Sequence, residues 1–191
     1  MLAALLTDIR ACAHCAAHLP LGPRPVVQAA ATARLLIIGQ APGTRVHETG
    51  VPWNDPSGER LREWTGIAPE TFYDPAIVAI MPMGFCYPGK VAGGGDLPPR
   101  PECAPLWHAR LRAQMPDIRL TLLVGQYAHK AYLPKGSGSL TAAVRDFGAH
   151  LPALFPLPHP SWRSTGWMRR NAWFEARTLP ILRDRVDAAL R

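Results

Sequence analysis

Four short apolar runs, each cut off by glycine or proline, constrain this chain more than any other feature. They occupy residues 34–39 (RLLIIG), 75–83 (PAIVAIMPM), 118–125 (IRLTLLVG) and 153–161 (ALFPLPHPS). Apart from Arg34 in the first, Arg119 and Thr121 in the third and the closing His159 and Ser161 of the fourth, they are continuously apolar, and a strand that is apolar on both sides must be covered on both sides. Helical patterns fill the intervals. One covers about 2–11. Another starts at Asp55, a helix N-cap, followed by Pro56 at the first helical position. Further helices are predicted over 101–115, from Gln126, over 139–148, and from Asn171 to Arg191 with a break at Pro180. The alternation predicts an α/β fold: a three-layer α/β/α sandwich with a central, mostly parallel four-stranded sheet.

A chain of 191 residues, 48% of them apolar, can bury one proper core, and no repeat or linker divides it, so a single domain over 1–191 is expected. The segment 12–28 is irregular, and residues 87–101 (YPGKVAGGGDLPPRP) form one long Gly/Pro-rich loop. The first, third and fourth strands end in IIGQAPG, LLVGQYA and LPHPS. Ligands of open α/β sheets bind beyond the carboxyl ends of the strands, so these three loops are expected on one rim.

The formal net charge is +7; three of the 21 basic residues are lysine, leaving 18 arginines. This balance favours a polyanionic partner, although a solvated basic surface would give the same count. No run is long enough to span a membrane, and the start MLAALLTDIR lacks a basic leader, so a cytoplasmic protein is expected. In such a compartment the four cysteines, Cys12 and Cys15 as C-x2-C with Cys86 and Cys103 further on, point to metal rather than to disulfides.

Several of these stretches together resemble the uracil-DNA glycosylase superfamily, most closely its family 4 iron–sulfur branch. GQAPG (39–43), GVPW (50–53) and SG (57–58) look like the first motif, and HPSWR (159–163) looks like the second. The cysteine spacing is similar to the cluster ligands of that branch. The resemblance implies a DNA glycosylase that flips a deaminated base out of single- or double-stranded DNA, and a [4Fe–4S] cluster held by Cys12, Cys15, Cys86 and Cys103; a monomer is expected. Zinc accepts the same four ligands.

Within the implied site, Gly39, Ala41, Pro42 and Gly43 form the pocket floor. Trp53 falls where the family stacks an aromatic on the base, though a core aromatic would look the same. Asn54 is placed to read a base edge. His159 falls at the histidine that donates to the departing base, or it only ties down its loop. Ser161, Trp162 and Arg163 are expected to contact DNA, with Trp162 as a wedge and Arg163 as a phosphate clamp. Gln40 departs from the family, which has Glu there, and Ala41 lacks the acid of other branches. A glutamine can orient water but cannot act as a general base. His47 and Asp55 are the candidate replacements. The second strand, AIMPMGFC, lacks an asparagine to read a pyrimidine, leaving the backbone of Gly84 and Phe85 for that task. Three functions follow: excision of uracil, excision of another base such as hypoxanthine, or silent iron–sulfur DNA binding.

Overall fold

The computed structural model describes residues 1–191. Four strands, β1 (Leu35–Ile38), β2 (Val78–Ile80), β3 (Leu120–Val124) and β4 (Leu154–Leu157), form one sheet in the order β2-β1-β3-β4. Every pairing is parallel. The expected sandwich is therefore present, with a sheet that is wholly parallel.

Nine α-helices accompany the sheet: α1 (Leu2–Arg10), α2 (Thr44–Thr49), α3 (Pro56–Thr65), α4 (Pro69–Phe72), α5 (Cys103–Arg112), α6 (Gln126–Tyr132), α7 (Leu140–Arg145), α8 (Thr165–Arg170) and α9 (Leu179–Leu190). Alternate strand residues separate two cores. Leu35, Ile37, Leu122 and Phe155 pack with Leu61 of α3 and Leu182 of α9. Leu36, Ile38, Ala79 and Leu123 pack with Leu5 of α1 and Leu111 of α5. This two-sided burial is what the unbroken apolar runs require.

The irregular segment 12–28 covers the free edge of β2. Gln28 makes an isolated antiparallel bridge to Ile80, and its side-chain amide donates to the carbonyls of Phe72 and Val78. An edge strand closed in this way offers no ladder to another chain.

Two helices, α2 and α4, escape the apolar periodicity because each is only one or two turns long. The expected break at Pro180 takes the form of a π-helical turn over Phe174–Thr178, which runs through Thr178 in helical conformation straight into α9. A proline ring crowds the carbonyl four residues back, which disfavours ordinary α-helical closure of that turn.

Helix α5 carries a buried titratable group. His108 Nε2 lies 3.0 Å from the Pro82 carbonyl and Nδ1 lies 2.6 Å from the Tyr132 hydroxyl. Burial pushes its pKa from 6.5 to about 4. The unfolded chain therefore binds the proton that the folded chain refuses, and stability is lost as pH falls from 6.5 towards 4. The loss reaches ~3 kcal/mol at most. Burial also lowers the pKa of His129 and of His159, so they contribute with the same sign. Urea unfolding at a series of pH values should show this slope, and a His108→Gln variant should flatten it.

Candidate active site

In the strand order β2-β1-β3-β4 the chain leaves β1 in one direction and β3 in the other, so the switch point lies between them. A cavity of roughly 410 Å³ opens there. Gly39, Gln40, Ala41, Pro42 and Gly43 form one wall, just beyond β1. Trp53 and Asp55 come from the turn before α3, and His159, Ser161, Trp162 and Arg163 from the loop after β4. The GQAPG and HPS loops thus meet as expected. The third loop of the rim approaches from behind: Gly125, after β3, leaves room for His159, whose Cβ would be 3.5 Å from a Cβ at that position.

Trp53 is the only non-glycine residue with positive φ, at 55°. A bulky side chain in this region is strained and persists only when its surroundings hold it. Here two glycines do so. A Cβ on Gly58 would stand 1.7 Å from the Trp53 carbonyl oxygen, and a Cβ on Gly39 would stand 2.6 Å from Trp53 Cζ2. The indole therefore lies against the bare backbone of the GQAPG loop. The same carbonyl accepts from Arg62 Nη1 and from the Tyr73 hydroxyl, each at 3.3 Å. The indole and the His159 imidazole pack against each other on the cavity wall, 5.7 Å apart centre to centre and tilted by 35°.

Burial holds His159 below the usual histidine range, and the Asp55 charge offsets only part of that. At neutral pH it is a neutral imidazole that can donate one hydrogen bond. Asp55 caps α3 by accepting from the Gly58 N–H at 2.8 Å, and it also lines the cavity. The cap and the site role coexist because a carboxylate has two oxygens.

Other expectations are redistributed. His47 and Asn54 do not line the cavity. His47 lies on α2, 6.0 Å from the Tyr87 ring, and its Nδ1 is buried without a partner. The expected base-reading backbone is already committed: Gly84 N–H donates to the Gln40 carbonyl at 3.0 Å, and Phe85 N–H to Cys103 Sγ at 3.3 Å. Pro82, not Met81 or Met83, reaches the cavity from the end of β2. Trp162 is 76% exposed with the Arg163 guanidinium 5.4 Å over its ring. Arg163 Nη2 donates to the Gly94 carbonyl at 3.1 Å. Asp96 also lines the cavity, a residue that sequence reasoning passed over. Its signal was present in GGGD, a lone acid at the end of a glycine run, but nothing in the sequence brings that loop to this rim.

The four cysteines are unpaired by disulfides and face a second pocket, with Arg100, Leu106 and Trp107. Burial pushes the Cys86 thiol up to about 11 and the Cys103 thiol up to about 12; Cys15 is raised by burial and then by Glu102. No three His, Cys, Asp or Glu side chains are arranged to hold a metal ion. N–H groups of Phe85 and Arg24 point at Cys103 and Cys86. Half-buried thiols that share one pocket and face N–H donors suit a group that supplies positive charge.

The glycines make a direct prediction. Gly39→Ala should displace the indole, shifting tryptophan fluorescence, and destabilise the fold by ~1–3 kcal/mol in urea. Gly58→Ala, which meets rigid backbone instead of a ring edge, should cost more.

A family model provides an independent comparison. The model of the uracil DNA glycosylase superfamily matches residues 26–183, which include the whole cavity and exclude Cys12 and Cys15. The match spans most of the chain and both loops that build the site, and this protein belongs to the uracil DNA glycosylase superfamily.

Proposed function

We propose that the protein is a monofunctional DNA glycosylase that hydrolyses the N-glycosidic bond of uracil, or of another deaminated base, flipped into the cavity. One observation carries this reading: Trp53 is held in a strained conformation with its indole beside His159 on the pocket wall. A flat face and a single neutral donor are what an extruded base needs, one for stacking and the other for its edge.

The chemistry follows from the charges that develop. As the C1′–N bond breaks, its electron pair leaves with the base, and His159 donates to the base oxygen that takes the charge. The sugar becomes cationic and is stabilised by carboxylates on the cavity wall, among them Asp55. The Gln40 amide orients a water but takes no proton. Trp162, exposed on the loop after His159, is placed to fill the gap that the base leaves in the stack. Arg169 and Arg170, exposed at the end of α8, extend the basic surface beside it. The uncharged Gln40 also favours a second reading, a silent DNA-binding protein.

Strand nicking after alkali tests the proposal, with oligonucleotides carrying uracil, hypoxanthine, xanthine or mismatched thymine, single- and double-stranded. The wild type should release at least one base, and His159→Ala and Trp53→Ala should each slow release by ~100-fold or more. Binding without release from any substrate would leave the silent reading.

For the cysteine pocket we propose a [4Fe–4S] cluster held by Cys12, Cys15, Cys86 and Cys103. When bound, it would tie the N-terminal segment to the start of α5 and so fix the 87–101 loop. Equal iron and sulfide, four of each per chain, and visible absorbance lost in Cys86→Ser are expected; zinc alone would contradict the assignment.

A further inference from the structure

The long loop after Cys86 is not an irregular excursion. Lys90 and Asp96 form an antiparallel bridge, Val91 N–H donates to the Gly95 carbonyl, and Leu97 N–H to the Gly89 carbonyl. The result is a small hairpin whose tip, Gly93-Gly94-Gly95, has positive φ throughout. Arg163 holds that tip by its bond to the Gly94 carbonyl, and a Cβ on Gly95 would stand 2.6 Å from Arg163 Nη1. The φ of 105° favours glycine at this position, and a side chain there would push the arginine aside.

This latch delivers one side chain to the cavity. The Asp96 carboxylate reaches the GQAPG wall, with Oδ2 3.5 Å from where a Cβ on Gly43 would be. It lines the same cavity as Gln40, Asp55 and His159. Asp55 spends one oxygen on the α3 cap, whereas no hydrogen bond contributes to the protonation balance of Asp96. The GQAPG loop itself carries no acid, so a free carboxylate enters from another segment of chain.

We propose that Asp96 is the general base of the reaction, supplying from the hairpin the carboxylate that Gln40 lacks. The proposal rests on the glycosylase reading. In the step, the C1′–N bond breaks and its electron pair leaves with the base. A water oxygen bonds to C1′, and the water proton passes to the Asp96 carboxylate. That proton and the base anion are later neutralised through solvent, giving free base and an abasic sugar. Asp96 remains open to solvent on one side, which allows the proton to leave.

The charges around Asp96 set the expected pH profile. Partial burial and the Asp55 charge raise its pKa above the ordinary aspartate range, while Lys90 on the hairpin and Arg163 on the loop after β4 oppose the rise. His159, the remaining titratable group of the cavity wall, is held neutral by burial. Excision should therefore fall on the acid side, at a pH above that of an ordinary aspartate.

Single-turnover excision at saturating enzyme tests this, on whichever deaminated base the wild type releases. Asp96→Asn should slow the step by ~100-fold or more, remove the acid limb, and keep DNA affinity within about threefold. Asp96→Glu should keep part of the rate with the limb shifted, and a Gln40→Glu change added to Asp96→Asn should restore activity. Circular dichroism checks that each variant folds; if Asp96→Asn does not, the limb shift in Asp96→Glu decides. Wild-type excision with Asp96→Asn within about threefold of it, or slowed with the acid limb intact, would overturn the assignment and leave the glycosylase reading standing. No release by the wild type would overturn both.

Discussion

The Trp53 indole can rest on the GQAPG loop only because Gly39 and Gly58 have no side chains. One glycine opens the space for the ring and the other for the carbonyl of a residue forced to positive φ. Much else depends on this contact. It sets the angle at which the chain enters α3, it places the Asp55 cap at the cavity wall, and it holds an aromatic face beside His159. Strain of this kind is tolerated where the surroundings over-determine it. Arg62 and Tyr73, both bonded to the Trp53 carbonyl, provide that from the far side.

The fold was legible in the sequence because its strands are apolar on both faces. RLLIIG and IRLTLLVG needed cover on two sides, and the two cores on either side of the sheet are that cover. The meeting of GQAPG with HPSWR was legible too, since parallel strands send their carboxyl ends to one rim. Single-turn helices were not, because α2 and α4 are too short to show a period. The break at Pro180 was legible as well, and the helix absorbs it as the π-helical turn over Phe174–Thr178.

The site was less legible than the fold, and the failures share a cause. Adjacency to a motif pointed to His47 and Asn54, yet a one-residue rotation on a helix or turn sends a side chain elsewhere, and His47 turns to Tyr87. The backbone of Gly84 and Phe85 looked free until the hydrogen bonds to Gln40 and Cys103 were assigned. Asp96 was invisible because its loop comes near the cavity through Arg163, a contact between residues 69 apart. Sequence pattern reports local geometry well and says little about which distant loop closes a pocket.

Electrostatics give the cavity its character within a chain of net charge +7. The pocket wall holds two aspartates, a neutral histidine and Arg163, and Arg169 and Arg170 are exposed at the end of α8. The central claim is that this cavity receives a flipped base, stacked on Trp53 and bonded at its edge to His159. A crystal structure with DNA carrying 2′-fluoro-2′-deoxyuridine, whose glycosidic bond resists cleavage, tests it most directly. The account predicts the base stacked on the Trp53 indole with a ring oxygen substituent accepting from His159. A base left in the helix, or bound outside the Trp53–His159 cavity, would contradict it.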